Sequence, residues 1–432
     1  LTPDEIREYR GTLTTPGTNS PHRTRSIEEN IALFEKMKAG ACSEGEHVLR
    51  AKIDMTSGNI NLRDPIIYRI MKSNHPRTGK TWHIYPTYDF AHGQSDAIEN
   101  VSHSICTLEF EDHRPLYEWF LENLPVPAKP KQYEFAPLAL THTVLSKRLL
   151  TRLVEENLVS GWNDPRMPTL AGLRRRGYPP AAIRDFAGQI GVSKRDSRID
   201  VAMLEHCVRD FLNQKADRYL AVIRPIKVII DNYPAGKVEQ LEAPNNPNSP
   251  QSKSRLLPFC REIYIEEGDF MEDPPKKFFR LAPGREVRLR YAYLITCTDI
   301  IKDASDNITE IHCTYDPETK GGKVPDGRKV KGTLHWVSAN HAHMAEVRLF
   351  QNLFSDENPD LSGELIDAIN PYSKEVLTNC MLEPALAHLR TETAVQFERV
   401  GYFWRDIDAT DSADVWNRTI GLRDTWAKKL KS

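Results

Sequence analysis

The hydrophobic period of this chain changes near residue 216, and that change restricts its architecture more than any other feature. Upstream, apolar residues recur at three- and four-residue steps, as in Leu149, Leu150, Leu153, Val154 and Leu158. That spacing makes one face of a helix. Downstream the period is two. Segments 221–230, 263–265, 287–294, 308–313, 333–337 and 347–350 read as short strands separated by turns. Such strands imply antiparallel barrels. The two regimes do not share one core, and 432 residues predict two to four domains.

Composition narrows the function classes. Hydrophobic content of 40% and charged content of 27% are ordinary for a globular chain. No apolar run is long enough to span a bilayer, and the polar start Leu1-Thr-Pro-Asp-Glu5 does not read as a secretory signal. Seven cysteines lie far apart with no Cys-x-x-Cys pair, against structural zinc and against a disulfide framework. A cytoplasmic location is expected. With a net charge of −2, any nucleic-acid surface must be built from local basic patches.

In chain order, residues 1–25 are rich in Pro, Thr and Gly and read as a hairpin or loop. Ser26 and Glu29 then form a capping box, with Ile27, Ile31, Phe34 and Met37 on one face and Gly40 as the stop. Strand-like stretches follow at 48–53 and 82–85. Residues 86–135 predict short apolar strands and one helix, 115–124, capped by Asp112. Residues 146–215 are helical, punctuated at Gly161, Pro168, Gly177 to Pro180 and Gly191. Within them, Arg174-Arg175-Arg176 reads either as solvated surface or as a phosphate contact.

One stretch carries chemistry. Thr143-Val-Leu-Ser-Lys-Arg148 follows an extended segment, 132–135, and opens the amphipathic run. Strand, short loop and helix start is where proteins hold phosphate. Ser146 is expected to cap that helix and Lys147 to set a mobile cation beside its positive end. Together with Tyr85-Pro-Thr-Tyr-Asp-Phe90 and His103-Ser-Ile-Cys-Thr-Leu-Glu-Phe110, this stretch resembles the KMSKS-type loop of class I glutaminyl-tRNA synthetases. The resemblance runs from Leu1 almost to the last residue.

It implies a multidomain α/β + β protein. The regions are an α/β acceptor-end-binding insert (1–87), the second half of a Rossmann-type catalytic domain ending in the KMSKS-like loop (88–145), a helical subdomain (146–215), and two antiparallel β-barrels that bind the anticodon (216–432). The family's His-Ile-Gly-His element is not in these residues. The sequence is therefore expected to be an N-terminally incomplete enzyme that lacks part of the ATP site and does not activate glutamine alone.

The implied substrates are L-glutamine, ATP carrying Mg²⁺, and tRNA(Gln), acted on by a cytoplasmic monomer with no prosthetic group. Lys147 is the implied catalytic cation, with Thr107, Leu138, Leu145 and Ser146 in the ATP site. A family arginine next to Leu138 is Pro137 here, which offers neither cation nor N–H. The implied glutamine pocket is Tyr88, Cys106 and Gln132. Glutamyl enzymes of the group hold an arginine at the Cys106 position, and a neutral thiol favours an uncharged amide over a carboxylate.

Implied tRNA contacts are Leu13 and Asp112 at the acceptor end, and Ser193, Lys194, Arg195 and Arg198 in a polar loop. Arg218, Lys329, Lys331, Gln396 and Arg399 are implied contacts in the barrels. Among fourteen histidines, His341 and His343 are read as a surface pair, and no protein metal site is expected. Two rivals stay open: an archaeal-type or non-discriminating glutamyl-tRNA synthetase, and a non-catalytic tRNA-binding fragment.

Overall fold

The computed structural model describes residues 1–249, 251–359 and 363–423. The chain forms two compact units, Leu1–Pro137 with Val192–Ser197, and the remainder from Leu138 onward.

The first unit opens on a helix where a hairpin or loop was expected. Helix α1, Pro3–Arg10, starts at a reciprocal capping box between Thr2 and Glu5, with proline at its first position. The loop reading holds only for the residues that follow, where Thr12 N–H donates to the Thr15 carbonyl at 3.0 Å. Helix α2, Ile27–Lys38, has the expected Ser26–Glu29 box. Gly40 follows it at φ +76°, where a Cβ would stand 2.6 Å from the His83 ring. The expected apolar face is half used: Met37 is buried and Phe34 packs beside it, while Ile27 and Ile31 are 73% and 59% exposed.

Strands β1 (Val48–Arg50), β2 (Ile66–Ile70) and β3 (Ile84–Pro86) form an antiparallel sheet in that order. Next comes helix α3, Tyr88–Ile98, which the sequence reading missed. Strand β4 (His103–Thr107), helix α4 (Arg114–Asn123) and strand β5 (Lys131–Phe135) make a β-α-β unit, the two strands parallel with Cys106 opposite Glu134. Helix α4 forms where predicted because Leu116, Tyr117, Phe120 and Leu121 share one buried face. Its N-cap position is His113, with no side-chain cap, so Asp112 does not have the predicted role. Instead the Asp112 carbonyl accepts from the Asn59 and Asn61 side chains, at 2.7 and 3.2 Å.

The second unit begins with β6 (Ala139–Leu140), then helices α5 (Lys147–Glu155), α6 (Leu170–Arg176) and α7 (Pro180–Ile190). Strand β7 (Arg198–Ile199) pairs with β6, and helix α8 spans Val201–Lys215. The amphipathic run behaves as read: Leu150 and Leu153 are buried with Val159, Met167 and Phe354, and Leu149, Val154 and Leu158 pack alongside.

Beyond α8 the period-two region forms two seven-stranded barrel-like sheets. Their strands, in chain order, are β8 (Asp217–Tyr219), β9 (Ala221–Val222), β10 (Pro225–Ile230), β11 (Glu239–Pro244), β12 (Ser254–Phe259), β13 (Glu262–Glu266), β14 (Glu286–Leu289), β15 (Leu294–Lys302) and β16 (Ile308–Asp316). Then come β17 (Thr333–Leu334), β18 (Val337–Ser338), β19 (His343–Phe350), β20 (Lys374–Leu382), β21 (Ala394–Phe397), β22 (Gly401–Arg405) and β23 (Asp414–Gly421). One sheet has the order β17-β14-β15-β16-β10-β13-β18, the other β8-β21-β22-β23-β19-β20-β9, and β11 pairs only with β12. Most pairings are antiparallel, but β10 with β16, β14 with β17, β19 with β23 and β8 with β21 are parallel. The apolar cores of the two sheets include Phe259 and Trp336 in one, and Phe397, Phe403 and Trp416 in the other.

Three expected strands break. Segment 221–230 divides between the two sheets, because the Glu266 carboxylate accepts from the N–H groups of Ile223 and Arg224 at 2.7 and 3.1 Å and ends the ladder there. Segment 287–294 folds over a turn with Tyr291 at φ +62°. Segment 333–337 separates into β17 and β18. Among the described residues no helix is long and apolar enough to cross a membrane.

Candidate functional site

The first unit brings the three expected amide-pocket residues onto neighbouring elements. Tyr88 is the first residue of α3, 56% exposed, its ring stacked on His92 at 5.0 Å and against Phe110 at 5.2 Å. Its hydroxyl meets the Cys106 thiol on β4. Burial raises the pKa of both groups, so both stay neutral at physiological pH. His92 is held by Asp96 at 3.2 Å and Ser104 at 3.1 Å, which fixes the ring that Tyr88 stacks on.

Gln132 differs from its expected setting. It is buried at 5% exposure on β5, and its amide nitrogen donates to Glu134 Oε1 at 2.9 Å and to the Phe110 carbonyl at 3.3 Å. Glu134 is buried too, and Arg114 donates to it from the start of α4, with Nη2 2.9 Å from Oε2. Burial pushes the Glu134 carboxyl up, but the Gln132 hydrogen bond and the Arg114 guanidinium outweigh it and hold it below its ordinary range. Beside Cys106 there is thus a cation, already paired with a carboxylate. Neither Arg114 nor Glu134 carried a motif, and they meet only because β4 and β5 are parallel neighbours bridged by α4. Thr107 ends β4, exposed, its hydroxyl bonded to Glu109 at 3.1 Å.

Also in the first unit, Leu13 is 80% exposed at the tip of the turn after α1, Asp112 is exposed, and Ser193, Lys194 and Arg195 lie on an exposed loop. These residues are accessible, as an RNA contact requires.

In the second unit, Ser146 occupies the N-cap position of α5, but its side chain accepts nothing from the helix. The expected cap bond is absent. Lys147 is the first helical residue, and Lys147 and Arg148 are both exposed. Among the described residues neither side chain makes a hydrogen bond or ion pair. The helix start therefore carries two uncommitted cations at its positive end. Leu138 and Leu145 line an apolar cavity of about 190 Å³ behind this loop, with Val144, Met167 and Phe186.

Each arginine of the α6 triplet has an acceptor, and Arg174 stays exposed while Arg175 does not. Arg174 pairs with Glu392 at 3.0 Å, Arg175 with Asp406 at 3.0 Å and with Asp408, and Arg176 donates to the Thr419 carbonyl at 3.2 Å. Arg175 and Arg176 are committed to these partners, which leaves only the exposed Arg174 accessible to a phosphate.

The barrel positions separate. Arg218 and Gln396 face each other in register between β8 and β21 and line a cavity of about 360 Å³ with His206, Asn213 and Tyr402. Arg218 Nη2 donates to Asn213 at 3.3 Å, and its Nε is buried with no partner among the described residues. Arg399, at φ +66°, does not join them: it grips Asp269 through two bonds of 2.6 and 2.9 Å and lies 3.0 Å from His335 Nδ1. Lys329 and Lys331 are exposed, and the Lys331 ammonium sits 4.8 Å from the Phe279 ring centre. Arg198 is exposed and donates to the Leu140 carbonyl at 3.2 Å. His341 and His343 do not act as a pair: His341 bonds Ser338 and His343 bonds Asp414. The seven cysteines are free thiols.

The structure thus presents an exposed cationic helix start, a neutral Tyr88–Cys106 contact and two barrel-like sheets. The model of the family described as tRNA synthetases class I (E and Q), catalytic domain, matches residues 1–214. Two models of that family's anti-codon binding domain match residues 216–316 and 333–406. The chain belongs to the class I tRNA synthetases for glutamate and glutamine. It is 59% identical over 429 residues to the glutamine–tRNA ligase of Bradyrhizobium diazoefficiens, covering 99% of this chain and 77% of that protein. It is 60% identical over 427 residues to that of Nitrobacter winogradskyi (99% and 76%). With that of Pseudomonas syringae pv. tomato the identity is 56% over 430 residues (99% and 75%).

Proposed function

We propose that this chain is a glutamine–tRNA ligase. It joins the carboxylate of L-glutamine to the α-phosphate of ATP, releasing pyrophosphate, and then transfers the glutaminyl group to the 3′ end of tRNA(Gln), releasing AMP. The observation that carries the choice of glutamine is the neutral surface made by Tyr88 and Cys106. The neighbouring guanidinium of Arg114 is already neutralised by Glu134. A substrate carboxylate would find no partner there and would lose its water, whereas an amide loses far less. Gln132, its amide nitrogen engaged by Glu134, has its carbonyl oxygen left to accept from a substrate amide. A glutamyl enzyme needs a cation at that point, so the glutamyl reading is the weaker one.

Adenylate formation builds charge on the departing pyrophosphate, and the reaction needs that charge stabilised more than it needs a protein nucleophile. Lys147, exposed and unpaired at a helix start, is suited to that role, with Ser146 and Leu145 contributing backbone groups. Thr107 and Leu138 complete the proposed ATP contacts. Mg²⁺ arrives with ATP and needs few protein ligands. No side chain is assigned as general base for the transfer step.

Leu13 and Asp112 are the proposed acceptor-end contacts, and Ser193, Lys194, Arg195 and Arg198 are proposed to follow the tRNA backbone. Arg218 and Gln396 share a cavity of about 360 Å³, the proposed seat of a splayed base. Arg399 would have to leave Asp269 to read a base directly, so its proposed part is to shape that surface. Lys329 and Lys331 are proposed phosphate contacts. The β4-α4-β5 unit supports reading residues 88–145 as half of a Rossmann-type domain. The proposed divisions are 1–87, 88–145, 146–215 and 216–432. The enzyme is proposed to act as a monomer, and seven free thiols favour the reducing cytoplasm.

The test is Cys106→Arg in an enzyme that carries the His-Ile-Gly-His element, comparing kcat/KM for glutamate and for glutamine with tRNA(Gln). Arginine offers a bidentate partner to a carboxylate and crowds the amide. The glutamate-to-glutamine ratio is expected to rise by about tenfold or more, the scale of one ~1.4 kcal/mol interaction. An unchanged ratio in a folded variant would remove Cys106 from the pocket, and the amide reading with it.

A further inference from the structure

Leu13 and Asp112 stand on different elements, a turn after α1 and the segment before α4, yet one short stretch of chain touches both. Arg63 is 3% exposed. Its Nη1 donates to the carbonyls of Arg10, Thr12 and Thr15 at 2.9, 2.8 and 2.9 Å, and its Nε donates to the Ser57 carbonyl at 2.7 Å. Two residues beyond Ser57, Asn59 donates to the Asp112 carbonyl at 2.7 Å, and Asn61 adds a second bond at 3.2 Å. Asn59 is itself tied to Ser57, its N–H donating to the serine hydroxyl at 3.2 Å.

The chemistry of Arg63 is unusual. Among the described residues its guanidinium hydrogen-bonds only carbonyls and makes no ion pair, although the Asp54 carboxylate feels its charge; the adjacent Asp64 pairs with Arg23 instead. A buried cation satisfied only by backbone oxygens is costly unless those oxygens are held in place. Here they are. The Thr12 hydroxyl accepts from the N–H of Thr14 and Thr15 at 3.3 and 3.0 Å. Gly11 sits at φ +72°, where a Cβ would be 2.5 Å from the Thr15 carbonyl oxygen. The turn is tied down by these bonds, yet the side chain at its tip, Leu13, is a large apolar group left 80% in water. A tied-down mount under an exposed leucine indicates that the position of that leucine matters.

We propose that segment 57–63 is a strut that fixes Leu13 and Asp112 relative to each other, with Arg63 as its principal positioning residue, so that the acceptor end of tRNA meets both as one preformed surface. The proposal rests on the reading of Leu13 and Asp112 as acceptor-end contacts. Neutral side chains do not replace Arg63, because no other side chain offers donors in a fork wide enough to reach both Ser57 and the turn.

The experiment is a pair of double-mutant cycles on aminoacylation, with KM for glutamine and ATP measured alongside KM and kcat for tRNA(Gln). Arg63→Gln is expected to lower kcat/KM for tRNA by roughly tenfold to a hundredfold, the scale on which displacements of about 1 Å act, while KM for glutamine and ATP holds. Leu13→Ala is expected to lower the same quantity, and the double variant to be no worse than the poorer single one. If the two losses multiply, Arg63 acts elsewhere and the strut is wrong, although the acceptor-end reading stands. If Leu13→Ala and Asp112→Ala are both silent, that reading fails and the strut fails with it. If Arg63→Gln does not fold, Asn59→Ala against Asp112→Ala decides. Non-multiplying losses support the strut, and multiplying losses, or a silent Asn59→Ala, overturn it.

Discussion

Lys147 and Arg148 stand exposed on the first turn of α5, whereas Arg174, Arg175 and Arg176, on the next helix, each meet an acceptor, Glu392 and Asp406 in loops beside the second barrel-like sheet and Thr419 in its strand β23. In the sequence the two clusters look alike: short basic runs on amphipathic helices. In the fold one is left without partners and the other serves as a clamp. The Arg175–Asp406 pair is nearly dry, with side-chain exposures of 16% and 0%, while Arg174–Glu392 is wet at 73% and 37%. Basic residues thus divide by what faces them. A cation at a helix N-terminus, where the macrodipole disfavours it, and with no carboxylate in reach is free to meet a phosphate. A cation opposite a buried aspartate is not.

The largest effect expected from this contrast is on stability. Arg175→Ala leaves the buried Asp406 with two neutral donors, the Asn417 amide and the Asp408 N–H, and with Arg348 only at 3.8 Å, and should cost about 3 kcal/mol. Urea unfolding measures it, and activity per folded molecule should stay near normal. A loss below about 1 kcal/mol would mean that the clamp is incidental.

Lys147→Ala should show the reverse pattern. Single-turnover adenylate formation is expected to fall by about 10²–10³, with the melting temperature moved by less than about 2 °C. Weakened tRNA binding with normal adenylate formation would assign Lys147 to the RNA surface.

The smallest effect sharpens the comparison inside the triplet. Arg174→Ala removes an exposed pair and should cost only about 0.2–1 kcal/mol by the same unfolding measurement. A cost equal to that of Arg175→Ala would show that burial does not separate the two.

Much of the candidate site was legible locally. The α2 capping box, the α4 face and the start of α5 are written in residues close together along the chain, so spacing alone gives them. Helix α1 was legible as well, through Thr2, Pro3 and Glu5, but the Pro-, Thr- and Gly-rich residues after it masked the signal. Helix α3 was not. Its stretch from Tyr88 to Ile98 contains glycine, serine and histidine and has a weak apolar face, and it is helical because Gly93 and Ala97 let it pack closely on α4. A Cβ at Gly93 would lie 3.2 Å from the Tyr117 ring. The Arg114–Glu134 pair and the Arg63 fork were illegible for a different reason: each joins residues distant in sequence through hydrogen bonds that no period encodes.

What the sequence determined by itself is the order of the regions and the switch from helical to strand period near residue 216. These depend on composition and local spacing, which side-chain size and backbone preference fix residue by residue. What only the tertiary structure decided is which charges are free. Arg399 looked available to a base and is gripped by Asp269; Arg175 looked available to phosphate and is paired with Asp406; Gln132, implied in the glutamine pocket, is held by Glu134. A charge or amide acquires its role from the partner that the fold brings within about 3 Å. That partner lies many residues away, so its identity is settled only when the chain has closed.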